Sequence, residues 1–298
     1  MRKHWLLPLF AGVAILALGS SALAESRIEK SLKLQPKGRF ELDSDEGSVT
    51  VTGSAAAGAH IVITSDRDDI EELFEFQFEE GASLARVTCR RRHWGGWSRN
   101  ISLHFEVEVP AETQTEIRTG GGGVKLFGLR DGSELRTSGG SIEVSGLGGN
   151  LDAHTSGGPI RLREVTGEAR IETSGGGIEV ASLEGSLRAH TSGGPIHIDR
   201  VTGYVEARTS GGPVHVNFGR GNARGGDVES SGGSIEVAVD PSVNLDIDAS
   251  TSGGSVSTDL PLRVVGRIST SSLHGSLGSG GETLRLHTSG GSIHIRAL

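Results

Sequence analysis

The sequence is dominated by a Thr-Ser-Gly-Gly tetrapeptide that returns with an 18-residue period. At this spacing it begins at Thr137, Thr155, Thr173, Thr191 and Thr209. Thr119-Gly-Gly-Gly starts the series one period earlier, and later copies begin at Ser230, Thr251 and Thr288 after wider intervals. A fixed period of this length is typical of solenoids, in which each repeat is one coil that packs only on its neighbours.

Each 18-residue period contains two short segments that alternate apolar and polar residues as a β-strand does. In the period after Gly140, Ile142 and Val144 alternate with Glu143, and a second alternating segment starts at Leu151. Two such strands cannot bury a face alone, whereas stacked coils can, because each strand then pairs in parallel with its equivalent in the next coil. The repeat therefore predicts an all-β fold, a parallel β-solenoid (β-helix) of 18-residue coils, which we expect to be right-handed.

The left-handed hexapeptide helix has coils of the same length, but it needs an aliphatic residue at every sixth position. Counting from Ile142, those positions fall on Gly148 and His154, so this alternative fails. We expect flattened coils with two strands each.

The Thr-Ser-Gly-Gly tetrapeptide is best interpreted as the corner between two strands. Its threonine has the inward phase at the end of the second strand, where a stacked row of hydroxyl groups can hydrogen-bond along the solenoid. The two glycines suit a corner that needs a positive φ or leaves no room for a Cβ atom. We extend the inward row from Thr119 to Thr288 and include Thr270, in a degenerate coil that would fill the widest interval. The repeated serines are thus assigned to structure rather than to catalysis.

Residues 1–24 have the features of a secretory signal peptide. Arg2 and Lys3 give a basic start, an apolar stretch follows, and Ala22-Leu23-Ala24 matches a small-x-small cleavage site. We expect removal after Ala24, no transmembrane segment in the mature chain, and export to the periplasm or the cell surface of a bacterium. Loss of the two basic residues changes the formal net charge of −8 to −10, and this acidic balance argues against nucleic-acid binding.

The rest of the chain divides at residue 118. Residues 25–118 lack the tetrapeptide but contain several alternating runs, so we predict a β-rich region that packs on the solenoid, residues 119–298, and caps its first coil. At the other end, residues 293–298 follow the last tetrapeptide with no obvious cap. We expect an open strand edge there, through which a second copy could associate. The single cysteine, Cys89, has an inward phase and is expected to be buried and inert.

Several features together resemble a known bacterial family. They are the exported N-terminus, the segment Glu46-Gly-Ser-Val-Thr-Val-Thr-Gly, the Val109-Pro110 strand end before the first glycine corner, and the recurring Ser-Gly-Gly-x-Ile-x-Val. In these the chain resembles the "putative adhesin" family of exported β-strand-repeat proteins, a domain of unknown function, over nearly the whole mature chain. The resemblance implies surface adhesion and brings no catalytic residues with it.

One arginine- and tryptophan-rich segment, residues 89–100, stands apart from the repeat. Its Trp94-Gly-Gly-Trp97 reads as a hairpin tip, and exposed Trp and Arg side chains can stack on sugars or contact anionic lipid. The candidate ligand-binding residues are Arg91, Arg92, Trp94, Trp97 and Arg99. The alternative is that the tryptophans cover the end of the solenoid while the arginines offset the acidic residues 66–80. A second break in the repeat, at 218–227, offers no acid pair.

Histidines supply the metal candidates. His197 and His215 are one coil apart in an outward row, and Asp199 lies two residues beyond His197 on the same face. Two imidazoles and a carboxylate could hold zinc. The alternative, which we favour, is a solvated polar row, because the repeat alone explains the spacing. We therefore predict no metal site.

No nucleophile motif of the Gly-x-Ser-x-Gly kind, no phosphate-binding glycine loop and no calcium-binding nonapeptide occurs in the sequence. We predict no cofactor and no enzyme, but an exported cell-envelope protein with a non-enzymatic adhesion, scaffold or assembly role and an unidentified envelope protein or glycan as partner. One alternative is a carbohydrate- or envelope-ligand-binding module that uses the Trp94–Trp97 hairpin. Another is a polysaccharide-active β-helix enzyme, which would need an acidic groove.

Overall fold

The computed structural model describes residues 26–92, 101–264 and 269–298. The predicted signal peptide, residues 1–24, lies outside these ranges, as do Trp94, Trp97 and Arg99. The described chain contains one short helix, α1 (Ile70–Leu73), and is otherwise built from strands and turns. No helix in these ranges is long and apolar enough to cross a membrane.

The strands are numbered in chain order. Those before the regular repeat are β1 (Ser26–Leu32), β2 (Arg39–Ser44), β3 (Ser48–Ser54), β4 (Ala59–Ser65), β5 (Phe74–Glu80), β6 (Leu84–Arg91) and β7 (Leu103–Pro110). Those of the regular repeat are β8 (Gln114–Thr119), β9 (Val124–Phe127), β10 (Ser133–Thr137), β11 (Ile142–Leu147), β12 (Leu151–Thr155), β13 (Ile160–Thr166), β14 (Ala169–Thr173), β15 (Ile178–Val180), β16 (Leu183–Glu184), β17 (Leu187–Thr191), β18 (Ile196–Ile198), β19 (Val205–Thr209) and β20 (Val214–Phe218). The remainder are β21 (Gly226–Ser230), β22 (Ile235–Val239), β23 (Leu245–Thr251), β24 (Val256–Thr258), β25 (Arg263–Val264), β26 (Ser272–Leu277), β27 (Thr283–Thr288) and β28 (Ile293–Ala297).

These strands form two 14-stranded sheets that enclose one apolar core. Each coil contributes a strand to each sheet, as β8 and β9 do, followed by β10 and β11. In β10, Leu135 pairs with Ile117 on one side and with Ala153 on the other, each exactly one repeat period away. The same offset joins Ile142 to Ile160 in the other sheet. The fold is therefore all-β and β-solenoid-like with mainly parallel pairing, as the sequence predicts, while its handedness stays a prediction.

Burial of the inward residues holds the coils together. The alternation predicted from the sequence places aliphatic side chains such as Leu135, Ile142 and Ile160 in the core, where they are fully buried. Each buried aliphatic side chain of this size contributes roughly 1.5–3 kcal/mol. The alternate residues face solvent, so the outer surface of both sheets is polar.

The first coil of the chain lies inside the stack rather than at its end. β2 pairs in parallel with β8 on one side and with β6, which comes later in the chain, on the other. In the other sheet β3 likewise lies between β9 and β7. The coil β6–β7 therefore ends the parallel stack, and the antiparallel strands β5, β4 and β1 lie outside it. The strands of residues 26–118 thus continue both sheets, and a domain boundary at 118 stays a prediction.

The last coil is inserted in the same way. β27 lies between β21 and β23, and β28 lies between β22 and β24. The expected open edge at 293–298 is therefore wrong, because β28 has a parallel partner on both sides, and self-association through that edge loses its basis. The degenerate coil around Thr270 is also wrong: Thr270 is exposed, and the adjacent β26 pairs antiparallel with β23. The antiparallel β26 thus pairs with the outer backbone edge of β23, the last strand of the parallel stack on that side. A further parallel coil would instead have a free backbone edge of its own.

Candidate functional site

The threonine of each tetrapeptide joins one coil to the next. Thr173 Oγ1 donates a hydrogen bond to the Gly158 carbonyl of the preceding coil at 2.9 Å and accepts one from the Gly176 amide of its own corner at 3.2 Å. The same pair of bonds occurs at the corners that begin with Thr137, Thr155, Thr191 and Thr209. These threonines are buried. Their hydroxyl groups are therefore used within the fold and are not available to a ligand.

The second glycine of the tetrapeptide lies where two coils approach closely. A Cβ atom on Gly176 would lie 2.6 Å from the Pro159 nitrogen and closer still to the Gly158 carbonyl. A Cβ atom on Gly175 would meet nothing nearer than 3.5 Å, which is an ordinary contact. Neither glycine has a positive φ. Of the two reasons that the sequence suggested for these glycines, only the lack of room for a Cβ atom applies at this corner, and there only to the second glycine.

The hydroxyl row continues through the coils that are out of chain order. Thr288 donates to the Gly233 carbonyl at 2.8 Å, and Thr251 donates to the Gly291 carbonyl at 2.7 Å. The corner bonds therefore follow the spatial order of the coils, not their order in the chain.

Cys89 takes the place of a threonine at the other end of this row. It pairs with Ser44 of β2, and its side chain is fully buried. Burial raises the pKa of the Cys89 thiol to about 12. The thiol is therefore protonated at neutral pH, as expected for an inert cysteine.

The outward row of the other sheet brings the metal candidates side by side. His197 and His215 pair across β18 and β20, with ring centroids 6.1 Å apart. His197 Nε2 lies 2.8 Å from Asp199 Oδ1, and His215 Nδ1 lies 3.4 Å from Glu236 Oε2. Each imidazole thus has its own carboxylate neighbour. In the described ranges, no three His, Cys, Asp or Glu side chains converge as a set of metal ligands.

Two of the five ligand-binding candidates of the Trp-rich segment are described. Arg91 forms an ion pair with Glu46, and its amide donates to Asp45 Oδ2 at 2.9 Å. Arg92 Nε donates to the Phe74 carbonyl at 3.2 Å. Both guanidinium groups therefore interact with groups of the protein itself. The other three candidates lie outside the described residues. Ligand binding by this segment stays a prediction.

The longer connection between β20 and β21 is a folded turn. Asn222 is buried, and its Nδ2 donates to the Val201 carbonyl of the preceding coil at 2.7 Å. Gly221 and Gly225 adopt positive φ on either side of it. This break in the repeat therefore packs against the solenoid and presents no acid pair.

A groove that the repeat pattern did not single out runs along the outside of one sheet, beside the corner opposite the tetrapeptide. Its volume is about 690 Å³. Strand positions contribute Glu116, Glu134, Asp152, Arg170 and Arg188. Further lining comes from Gln114, the first residue of β8, and from the corner positions Gly132, Asn150, Glu168, Ser186 and Tyr204. The one sequence feature that could have pointed to this groove is Tyr204, the only tyrosine of the chain, which occupies a corner position.

The carboxylates at one end of the groove are neutralised by arginine. Glu116 lies 2.6 Å from Arg118, and Glu134 lies 2.8 Å from Arg136. Hydrogen bonds from Arg136 and then Arg118 hold the pKa of the Glu134 carboxyl below its ordinary value. Both carboxylates are therefore already engaged as hydrogen-bond acceptors within the protein.

The middle and the other end of the groove carry unpaired polar groups. Asp152 and Glu168 have no ion-pair partner among the residues described. The Glu168 amide donates to Asn150 Oδ1 at 2.9 Å, which fixes the Asn150 side chain at the groove. Tyr204 is 42% exposed, and its partial burial raises the pKa of its phenol. The groove thus combines an exposed aromatic ring with free carboxylate and amide groups.

Comparison with known proteins gives a family but no activity. The family described as Toastrack DUF4097 matches residues 90–296, and no curated protein matches the chain significantly. Among solved structures, a "putative adhesin" from Bacteroides fragilis is 14% identical with a TM-score of 0.45, over 92% of this chain and 97% of that chain. A "putative lipid binding protein" from Parabacteroides distasonis is 14% identical with a TM-score of 0.40, over 92% and 96%. Since the family match extends over more than half of the sequence and confirms the resemblance found in its motifs, the chain belongs to the Toastrack DUF4097 family.

Proposed function

We propose that the chain is an exported, non-enzymatic protein of the bacterial cell envelope that acts in adhesion, scaffolding or assembly through its repetitive β-surface. The observation that carries the proposal is the structural use of the repeated motif. Its threonine hydroxyls hydrogen-bond to the preceding coil, and its second glycine allows the two coils to approach closely. What the repeat leaves outside is a polar surface whose strands recur in register from one coil to the next. Extended surfaces of this kind are what solenoid proteins use for binding.

The charges on this surface support a binding role over a catalytic one. Arg161 lies 3.2 Å from Glu179, and Arg208 lies 3.3 Å from Glu229. Such exposed pairs contribute little to stability, about 0.2–1 kcal/mol each. Glycoside hydrolysis needs one carboxyl group that carries a proton and a second that is free to act as base or nucleophile. Carboxylates held in such pairs serve neither role, and whether the unpaired Asp152 and Glu168 of the groove act on a polysaccharide is tested by the turnover assay below.

Two measurements test this proposal. Fractionation of cells that express a C-terminally tagged chain should find a form without residues 1–24 in the periplasm or at the cell surface, and a full-length cytoplasmic chain would overturn export. Incubation of the purified protein with envelope polysaccharides should release no new reducing ends. Turnover of any of them would overturn the non-enzymatic role.

A ligand-binding module based on Trp94 and Trp97 is the second candidate. Its support is positional: their segment joins β6 to β7, in the coil that ends the parallel stack, where regular coils have the tetrapeptide corner. Replacing both tryptophans by alanine distinguishes a ligand-binding site from side chains that only cover the end of the solenoid. Loss of envelope binding with an unchanged melting temperature supports the site, and lower stability with unchanged binding refutes it.

A further inference from the structure

We infer that the groove that ends at Tyr204 binds a linear, uncharged glycan of β-1,4-linked hexopyranose units, laid along the solenoid axis. The inference rests on the proposed function and names a ligand class for it. It is carried by the placement of an exposed aromatic ring, two unpaired carboxylates and side-chain amides along one groove.

The shape of the groove suits a linear polymer. Its lining comes from seven successive coils, from Arg39 in β2 to Tyr204 before β19. Six steps of the strand spacing, about 4.8 Å each, give a length of about 29 Å. Because the paired strands are in register, the groove follows the solenoid axis and repeats its backbone at each coil. A chain of β-1,4-linked hexopyranose units is extended and can follow the groove over several coils, whereas a compact ligand would contact only two or three.

Tyr204 supplies the aromatic contact that pyranose rings favour. Its exposed ring offers an apolar face to the C–H groups of a sugar, and its hydroxyl group can hydrogen-bond at the rim. The phenol is neutral at physiological pH, since burial raises its pKa. Leu187, on the preceding coil, donates its amide to the Tyr204 carbonyl at 2.9 Å, so the backbone below the ring is fixed.

The polar groups along the groove match neighbouring hydroxyl groups. Asp152 and Glu168 accept hydrogen bonds and have no ion-pair partner in the described part of the chain. Asn150 uses its Oδ1 within the protein, while its Nδ2 makes no hydrogen bond to the described residues. A planar carboxylate can accept from two adjacent hydroxyls, and an amide nitrogen can donate to two acceptors. These are the groups that fix the orientation of a neutral polar ligand.

The charges of the groove disfavour a polyanion. Its unpaired charges are carboxylates, while its arginines have acidic neighbours: Arg170 lies 2.7 Å from Glu172, and Arg188 lies 3.4 Å from Glu206. A polyanionic chain would meet free negative charge and arginines that are already neutralised. An uncharged chain meets neither penalty.

Isothermal titration of the purified protein with cellohexaose and chitohexaose tests the inference. At least one of these hexasaccharides should bind, and its disaccharide should bind at least tenfold more weakly because it contacts fewer coils. Tyr204→Ala should weaken binding about 5–10-fold, whereas Tyr204→Phe keeps the stacking face and should stay within twofold of the wild type. Asp152→Asn combined with Glu168→Gln should also weaken binding. Glu143→Gln, on the other sheet, is the matched control and should change nothing.

Three results overturn the inference. One is the absence of binding of either hexasaccharide to protein that melts as a folded chain. Another is equal weakening by Tyr204→Ala and Glu143→Gln. The last is tighter binding of oligogalacturonide than of both neutral chains. Because the titration uses purified protein, its failure leaves the export and non-enzymatic proposals intact, and those fail instead by fractionation or by turnover.

Discussion

The close approach of coils at the corner predicts opposite outcomes for two adjacent glycines. An alanine at Gly176 places a Cβ atom 2.6 Å from the Pro159 nitrogen and within the contact distance of the Gly158 carbonyl. An alanine at Gly175 places it 3.5 Å from the nearest atom, and neither position has a positive φ. The two substitutions therefore add the same methyl group to the same corner, and only one of them meets backbone.

The structure sets the size of the difference. To accept alanine at residue 176, the two coils must move apart locally, and overpacking of this kind costs about 1–3 kcal/mol. The movement also stretches the bond that Thr173 Oγ1 donates to the Gly158 carbonyl of the preceding coil, at 2.9 Å. Each lost hydrogen bond costs about 0.5–1.5 kcal/mol. We expect Gly176→Ala to destabilise the protein by roughly 1.5–4.5 kcal/mol. Gly175→Ala should stay within about 1 kcal/mol of the wild type, and it should stabilise the protein if its only effect is to restrict the unfolded chain.

Urea unfolding followed by far-ultraviolet circular dichroism measures both variants. The midpoint should fall strongly for Gly176→Ala and barely move for Gly175→Ala, with the slope of the transition compared in each case, because a solenoid can unfold in parts. Equal effects of the two alanines would refute the reasoning, since they would show that the corner tolerates or rejects a Cβ atom for a reason other than coil contact.

Three further predictions follow from single groups. Thr173→Val, which keeps the shape and removes the hydroxyl, should destabilise by about 1–3 kcal/mol in the same urea assay, whereas Ser174→Ala at the exposed neighbour should stay within about 0.5 kcal/mol; similar losses would contradict the buried role of Thr173. Cys89, with a thiol pKa of about 12, should resist a disulfide reagent at pH 8 in the native protein and react once per chain in urea, so rapid native reaction would refute its burial. Because arginine hydrogen bonds lower the pKa of Glu134 from its ordinary 4.5, its stabilising effect is present above that pH and is lost as the pH falls. Glu134→Gln should therefore lower stability at pH 7, with the difference from the wild type shrinking toward pH 3; a constant difference would argue against the ion pairs.

The regular part of the fold could be predicted from the sequence because period and alternation are both visible there. The strands at residues 39–44, 48–54 and 59–65 coincide with alternating runs. β1 could not be predicted in this way, since it is an outermost strand with one partner, β4, and most of its residues are exposed or partly exposed. Short outer elements such as β1 and α1 bury too little to impose a pattern on the sequence.

The groove could not be predicted because no single coil contains it. Its corner positions hold Asn150, Glu168 and Tyr204, and a polar or mixed residue at an exposed corner needs no functional reason. Their meaning depends on neighbours one repeat period away in sequence and one strand spacing away in space. The histidine row was the opposite case. The repeat predicted that His197 and His215 would be neighbours, but not that each imidazole would lie beside a different carboxylate.

The order of the coils was hidden for a different reason, namely that the coils are nearly interchangeable. The corners at Thr251 and Thr288 share Thr-Ser-Gly-Gly-Ser, so either could stack on the corner of Ser230 with the same hydrogen bonds. What distinguishes them is the antiparallel strand β26, which pairs with β23 on the side away from β27. A strand with an antiparallel partner cannot accept another parallel coil on that side, so the coil of β23 must end the stack and the coil of β27 must lie inside. The same reasoning holds at the other end, where β5 pairs antiparallel with β6 and β2 lies inside. In this fold the coil that carries an antiparallel partner therefore closes the solenoid, whatever its place in the chain.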